Sequence, residues 1–296
     1  MRLATIKQEN QETAALVLPS GVVPFERLND TFNQQWATNL LELMESDQLD
    51  ALNHWFQDEF QQKMTEESFK ELIIPFNQVS YAPLYRHPRK IWGIGLNYVE
   101  HAADLHEVSP NTEPASFMKP DTTIIGHGET VQVPLQSERT TAESELGIII
   151  GKKCKDVSEE DVLDVIAGYT TIIDMTAEDI LQKNPRYLTR AKSFDTFFSF
   201  GPQLVTPDEV DNVLELKVAT VINGRVHREN TVSNMTFQPQ FLISFHSKVM
   251  TLLPGDIIST GTPGAVVIRQ GDVVSCRIDG FEQLENPVED LKEFGQ

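Results

Sequence analysis

From residue 91 onward the sequence breaks into short apolar runs of strand length, and no regular series of helices separates them. Residues 91–96 form one such run around Gly93 and Gly95, and residues 146–150 and 169–173 are β-branched or aromatic. Residues 214–222 alternate and end at Asn223-Gly224, a pair suited to a hairpin turn. Residues 257–258 and 273–278 continue the pattern. Ser158 with Asp161 makes a capping-box pattern that predicts a short helix over 159–166, with Gly168 just beyond its end. A doubly wound parallel sheet needs helices alternating with strands. This spacing argues instead for an α+β chain whose larger part is a mainly β, mixed roll.

The first 80 residues read differently. Two short strands, over 2–7 and 14–18, flank a polar turn. Asp30 is placed to cap a helix carrying Phe32, Trp36, Leu40 and Leu43 at helical spacing. A second helix carries Leu49, Leu52, Phe56 and Phe60, all as core residues. Pro83 and Pro88, among Arg86, His87, Arg89 and Lys90, mark a connection. The expected division is a small α/β domain over residues 1–82 and a larger domain over 83–296.

Charge limits the partners. With 24 basic and 44 acidic residues the formal charge is −20, which repels nucleic acid and anionic membranes. A small anionic substrate then needs positive charge local to its site. Two cysteines, Cys154 and Cys276, form no CxxC pair. The N-terminus lacks the apolar core of a secretory signal, and no run reaches the ~18 apolar residues of a membrane span. The expected location is the cytoplasm.

The chemistry concentrates in a few places. Glu143-Ser144-Glu145 runs straight into an apolar run, so on one strand both carboxylates share a face. Like charges so close repel unless a proton or a hard cation such as Mg²⁺, Mn²⁺ or Ca²⁺ lies between them. A solvated strand edge also fits the pattern. Asp174 ends the run 168–173, either at the mouth of a site or as the N-cap of a helix over 175–181. His101 and Asp104, three apart in a stretch with helical character, suit a general base whose imidazole is oriented by a carboxylate, or a surface pair. Lys119 and Lys192 sit among apolar residues, where a lysine binds an anion, stabilises an enolate or is structural. Residues 260–264, including Gly261 and Thr262, form a tight loop after an apolar strand, able to cradle an anion or simply to turn.

In order along the chain these pieces become a pattern. They are Gly95-Leu96-Asn97-Tyr98 with His101, Phe117-Met118-Lys119-Pro120, Glu143-x-Glu145-Leu146, Gly168-Tyr169, Asp174-Met175-Thr176-Ala177, Lys192-Ser193-Phe194-Asp195, Gly201-Pro202, and the segment from Leu253-Pro254-Gly255-Asp256 to Thr260-Gly261-Thr262-Pro263. Over about residues 90–288 the chain resembles the fumarylacetoacetate hydrolase family. The resemblance implies the family's mixed β-roll as a homodimer. It implies Glu143, Glu145 and Asp174 as ligands of Mg²⁺ or Mn²⁺, and His101, Asp104 and Lys192 as catalytic residues. Lys119, Gly261 and Thr262 would line the pocket of a small anionic 2-oxo acid. The expected reaction is hydrolysis of a carbon–carbon bond in an acylpyruvate-type β-diketo acid. The alternatives are oxaloacetate decarboxylation, isomerisation of related dioic acids, and metal or ligand binding without turnover. Four places depart from the family pattern: Asp104 stands where Glu is frequent, Glu178 where Arg is frequent, Leu181 where Gln is frequent, and residues 264–267 replace a glycine-rich continuation.

Overall fold

The computed structural model describes residues 1–9, 11–60, 67–99, 110 and 112–293; His101 and Asp104 lie outside them. The chain opens with β1 (Arg2–Gln8), β2 (Gln11–Leu18) and β3 (Gly21–Pro24), then α1 (Phe25–Phe32), α2 (Leu40–Glu45) and α3 (Leu49–Trp55). There follow β4 (Ile91–Gly95), β5 (Ala115–Lys119), β6 (Ile124–Ile125), β7 (Val131–Val133), β8 (Thr140–Ile150) and β9 (Ile166–Ala177). After α4 (Glu178–Lys183) and α5 (Leu188–Lys192) come β10 (Phe198–Val205), β11 (Lys217–Ile222) and β12 (Arg225–Thr231). The chain ends with α6 (Pro239–Val249), β13 (Ile257–Ser259), β14 (Val266–Val267), β15 (Val273–Ile278) and β16 (Leu284–Asp290).

These strands make two mixed sheets. The larger runs β3-β2-β1-β10-β9-β8-β13-β4-β5, with β14 beside β8 and β6 beside β10; the smaller runs β12-β11-β15-β16-β7. Most pairs are antiparallel, while β13–β4, β10–β6 and β16–β7 are parallel. This is the mainly β, mixed architecture the sequence pattern implies. Among the described residues no helix is long and apolar enough to cross a membrane.

β8 and β9 lie at the centre and are buried along their whole length. One face, through Leu146, Ile148 and Ile173, packs on Val218 and Cys276 of the smaller sheet. The other, through Ile149, Ile172, Phe198 and Phe200, packs on Leu3, Leu16, Leu28, Leu40 and Leu52. Burial on both faces is why these strands read as nearly unbroken apolar runs. Any charge within them must therefore find a partner. The N-terminal segment shares that second core, and β1 pairs with β10, Leu3 opposite Leu204.

Local readings fare unevenly. The Asn223-Gly224 hairpin joins β11 to β12, both turn residues at positive φ. The helix capped at Asp30 does not form. Asp30 lies inside α1, Asn33 turns left-handed at φ 52°, and α2 starts afresh with Asn39 accepting from the Leu41 and Glu42 amides. Phe32, Trp36, Leu40 and Leu43 still meet in one core. Residues 159–164 form a 3₁₀ helix whose Ser158 hydroxyl bonds the Asp161 carboxylate rather than a backbone amide. Gly168 is no helix terminator. It lies within β9 at φ 154°, where a Cβ would meet the Val205 carbonyl oxygen at 2.2 Å.

Candidate metal centre

The β8–β9 register sets Glu143 opposite Asp174 and Glu145 opposite Ile172. Alternation puts Glu143 and Glu145 on one face, and cross-strand pairing brings Asp174 to the same face. All three are buried, with one oxygen from each lying within 4.8 Å of the others. Neither a solvated edge nor a helix cap describes them. β9 continues through Asp174 to Ala177, because β8 and β10 pair it on both sides. The helix read over 175–181 begins only at Glu178.

A gap in the neighbouring ladder shapes the site. β13 pairs with β8 up to Ser259 opposite Gly147, and β14 resumes pairing at Val266 opposite Ala142. The residues between leave the ladder and fold over the carboxylates. The Ser259 hydroxyl and the Gly261 amide both donate to Glu145 Oε2, at 2.5 and 2.8 Å. Gly261 holds φ 98°, and Asn97 buttresses the loop by donating to the Thr260 and Phe237 carbonyls at 2.7 and 2.9 Å. The Thr262 hydroxyl is engaged within its own turn, 3.2 Å from the Gly264 amide.

Two lysines enter from opposite sides. Lys119, at the end of β5, bonds Asp174 Oδ1 and the Met175 carbonyl. Lys192, ending α5, contacts Asp174 Oδ2 at 2.6 Å, the Thr176 hydroxyl at 2.7 Å and Glu143 Oε2 at 3.2 Å. Its ammonium group also lies 4.6 Å from the centre of the Phe117 ring. Thr176 donates to Glu143 Oε1 at 2.7 Å, so one hydroxyl links the lysine to the carboxylate.

The electrostatics follow from three buried carboxylates facing two buried ammonium groups. Burial, together with the Asp174 and Glu143 charges, pushes the Glu145 carboxyl up to about 8. Burial raises Asp174 as well, but Lys119 and Lys192 outweigh it and hold that carboxyl below its usual range. Burial pulls Lys119 down to about 8, against the attraction of Asp174. For Lys192 burial acts the same way, yet Asp174 and Glu143 dominate and raise it. One negative charge is left uncompensated, and the raised Glu145 registers it. Clustered hard oxygen donors carrying that surplus suit a divalent cation such as Mg²⁺, Mn²⁺ or Ca²⁺.

Of the residues singled out in the sequence, Glu143, Glu145, Asp174, Lys119 and Lys192 converge, and Gly261 joins them through its amide. Thr176 and Ser259 were not assigned roles. Two-residue alternation from Asp174 points to Thr176, whereas nothing local to Ser259 reveals its contact. Glu178 is paired with Arg139, and Leu181 packs against the apolar core.

A mixed β-roll holding a buried carboxylate–lysine cluster at its central ladder defines a class that the comparisons identify. The model of the fumarylacetoacetate (FAA) hydrolase C-terminal domain matches residues 90–289, and the chain belongs to that family. The mitochondrial oxaloacetate tautomerase fahd2 of Xenopus laevis is 36% identical over 225 residues, covering 73% of this chain and 70% of that protein. The structure of maleylpyruvate hydrolase from Sphingobium sp. SYK-6, in complex with manganese(II) ion and pyruvate, is 28% identical with a TM-score of 0.78, covering 98% of this chain and 99% of that one. A 5-carboxymethyl-2-hydroxymuconate delta-isomerase from Mycobacterium smegmatis is 30% identical with a TM-score of 0.74, covering 98% and 99%. These relatives are enzymes of three reaction types.

Proposed function

We propose that this chain is a divalent-metal-dependent enzyme that takes a small 2-oxo acid between its keto and enol forms, with an oxaloacetate-type acid as substrate. The observation that carries the reading is the pair of buried ammonium groups set against the carboxylate triad. Glu143, Glu145 and Asp174 would hold Mg²⁺ or Mn²⁺. The bound cation would supply Lewis acidity toward the oxo group and its neighbouring carboxylate.

The protein's own groups do the rest. Lys192 stays charged and offers its ammonium group to the enolate oxygen. Lys119, held near 8, gives up or takes a proton at Nζ close to neutrality. The dry surroundings strengthen both interactions, because water is not there to screen them. Keto–enol exchange needs no attacking water, so the described residues suffice for it. The identity of the Xenopus tautomerase over most of this chain supports the same choice.

A second reading is hydrolysis of an acylpyruvate carbon–carbon bond. The similarity to a maleylpyruvate hydrolase crystallised with manganese and pyruvate favours it. It needs a base to activate water, the role given to His101 oriented by Asp104.

The test uses purified protein with Mn²⁺ or Mg²⁺ and enol-enriched oxaloacetate, following loss of the enol absorbance. Ketonisation faster than the metal-only blank, abolished by a chelator, supports the proposal. No acceleration, together with cleavage of acetylpyruvate, would establish the hydrolase reading instead. Carbon dioxide release from oxaloacetate would point to decarboxylation. Cation-dependent binding of oxalate with no turnover of any of these acids would leave a binding protein.

A further inference from the structure

The face of the ladder that carries the metal centre does not end with it. By alternation the residues following Glu143 toward the start of β8 are Thr141 and then Arg139, and those following Asp174 on β9 are Thr176 and then Glu178. Thr141 pairs with Thr176 in the register, and both hydroxyls bond Glu143 Oε1. One step further the Glu178 amide donates to the Arg139 carbonyl at 2.9 Å, so Arg139 stands opposite Glu178. A polar strip therefore leads from the buried triad through a threonine pair to an arginine. Its cations grade outward: the Lys119 and Lys192 side chains are 1% and 6% exposed, that of Arg139 is 52%.

The arginine is held in place with part of its hydrogen-bonding capacity unspent. Its Nε donates to Glu178 Oε2 at 2.9 Å, while Glu178 Oε1 is itself fixed by Gln182 at 2.7 Å. The turn before it is clamped too, by Ser137 bonding Asp179 at 2.7 Å and Lys292 bonding the Ser137 carbonyl at 2.7 Å. Among the described residues no acidic group pairs with Nη1 or Nη2 of Arg139. Those two nitrogens form the end of the fork that grips a carboxylate bidentately. On a surface of net charge −20, a dianion needs such a local cation.

We propose that Arg139, oriented by Glu178, receives the distal carboxylate of a dioic 2-oxo acid whose oxo-acid head lies at the metal centre. This rests on the 2-oxo acid reading above and narrows it to dicarboxylates. Four residues of antiparallel strand separate Glu143 from Arg139, roughly 14 Å between Cα atoms at ~3.4 Å per residue. Side chains reaching in from both ends leave space for an acid with several carbons between its carboxylates. Arg139 acts here as a specificity residue, remote from the bond that changes.

The experiment compares acids that share a head and differ at the tail. Binding of 2-oxoglutarate and 2-oxobutyrate to Mn²⁺-loaded protein is measured by calorimetry, for the wild type, Arg139→Gln and Arg139→Lys, with melting temperatures alongside. The wild type is expected to prefer 2-oxoglutarate. Arg139→Gln should weaken 2-oxoglutarate about 10- to 100-fold more than 2-oxobutyrate, the range for a charged hydrogen bond, and Arg139→Lys should recover part of that. Equal affinity of the wild type for both acids, or equal losses in Arg139→Gln, would overturn the role of Arg139 and leave the 2-oxo acid reading standing. Wild-type protein that binds neither acid would instead sink that reading, and this proposal with it.

Discussion

Glu143 and Asp174 face each other as partners across the β8–β9 ladder, and a single ammonium group, Lys192 Nζ, touches both, 3.2 Å from one and 2.6 Å from the other. Two central strands buried on both faces thus carry opposed like charges at their most enclosed stretch. Such an arrangement persists only if the counter-charge is built in, and the lysines supply part of it.

Lys192→Met removes the larger share of that counter-charge. In metal-free protein the loss is expected to be ~3–5 kcal/mol, the range for leaving one side of a buried ion pair alone. A divalent cation bound between the carboxylates should restore part of it. Denaturant melts of wild type and variant, each in chelator and in Mn²⁺, read both quantities. An equal loss in the two conditions would mean the cation does not act at Glu143 and Asp174.

Acidity should compete with the cation. Glu145 is raised from 4.5 to about 8, by burial first and then by the Asp174 and Glu143 charges. The folded state thus holds this proton more tightly than the unfolded chain does. The contribution to stability is fully present below pH 4.5 and is lost as the pH climbs to about 8, so metal-free protein weakens across that window. A cation must displace the proton. Its affinity should therefore rise with pH up to about 8 and level off above, releasing about one proton per cation. Calorimetry in two buffers of different ionisation enthalpy counts that proton. An affinity that stays flat from about pH 6 to about pH 9 would contradict this account.

The parts of the site readable in advance were those set by local rules. Alternation alone puts Glu143 and Glu145 on one face. The motif order identified the family and with it Asp174 and the two lysines. What local rules could not supply was register. Asp174 looked equally suited to a helix cap because nothing near it in sequence announces that β8 and β10 flank β9. Ser259 meets Glu145 only because the ladder between β13 and β14 opens. The Asp30 helix failed for a related reason: its apolar spacing was real, but a left-handed Asn33 and a second cap at Asn39 divide it while delivering the same side chains to the same core.

Gly261→Ala tests the loop that closes over the triad. At φ 98° an alanine is strained, and its Cβ would lie 2.8 Å from Asn97 Cβ and 3.0 Å from the Ile94 carbonyl oxygen. The expected cost is ~1–3 kcal/mol of stability. Displacing the Gly261 amide also removes a donor from Glu145 Oε2, so cation affinity should fall as well. Asn97→Ala should reproduce the loop effect without a clash, since Asn97 pins the Thr260 carbonyl. If cation affinity survives both changes, Glu145 is positioned by its strand alone.

Thr176→Val separates positioning from charge. The Thr176 hydroxyl accepts from Lys192 at 2.7 Å and donates to Glu143 Oε1 at 2.7 Å, so valine keeps the shape and deletes the link. Two buried charged partners each lose a hydrogen bond, and ~1–3 kcal/mol of stability should go with them. No charge changes, so cation binding should drop modestly. Lys192, freed from one of its three anchors, should wander from the substrate oxygen. The signature is a fall in kcat that exceeds the change in KM, because the interaction weakened is the one made to the enolate. Thr176→Ser, which restores the hydroxyl, should recover most of the rate. A loss shared equally by serine and valine would trace the effect to packing of the Thr176 methyl group and remove the hydroxyl from the account of Lys192.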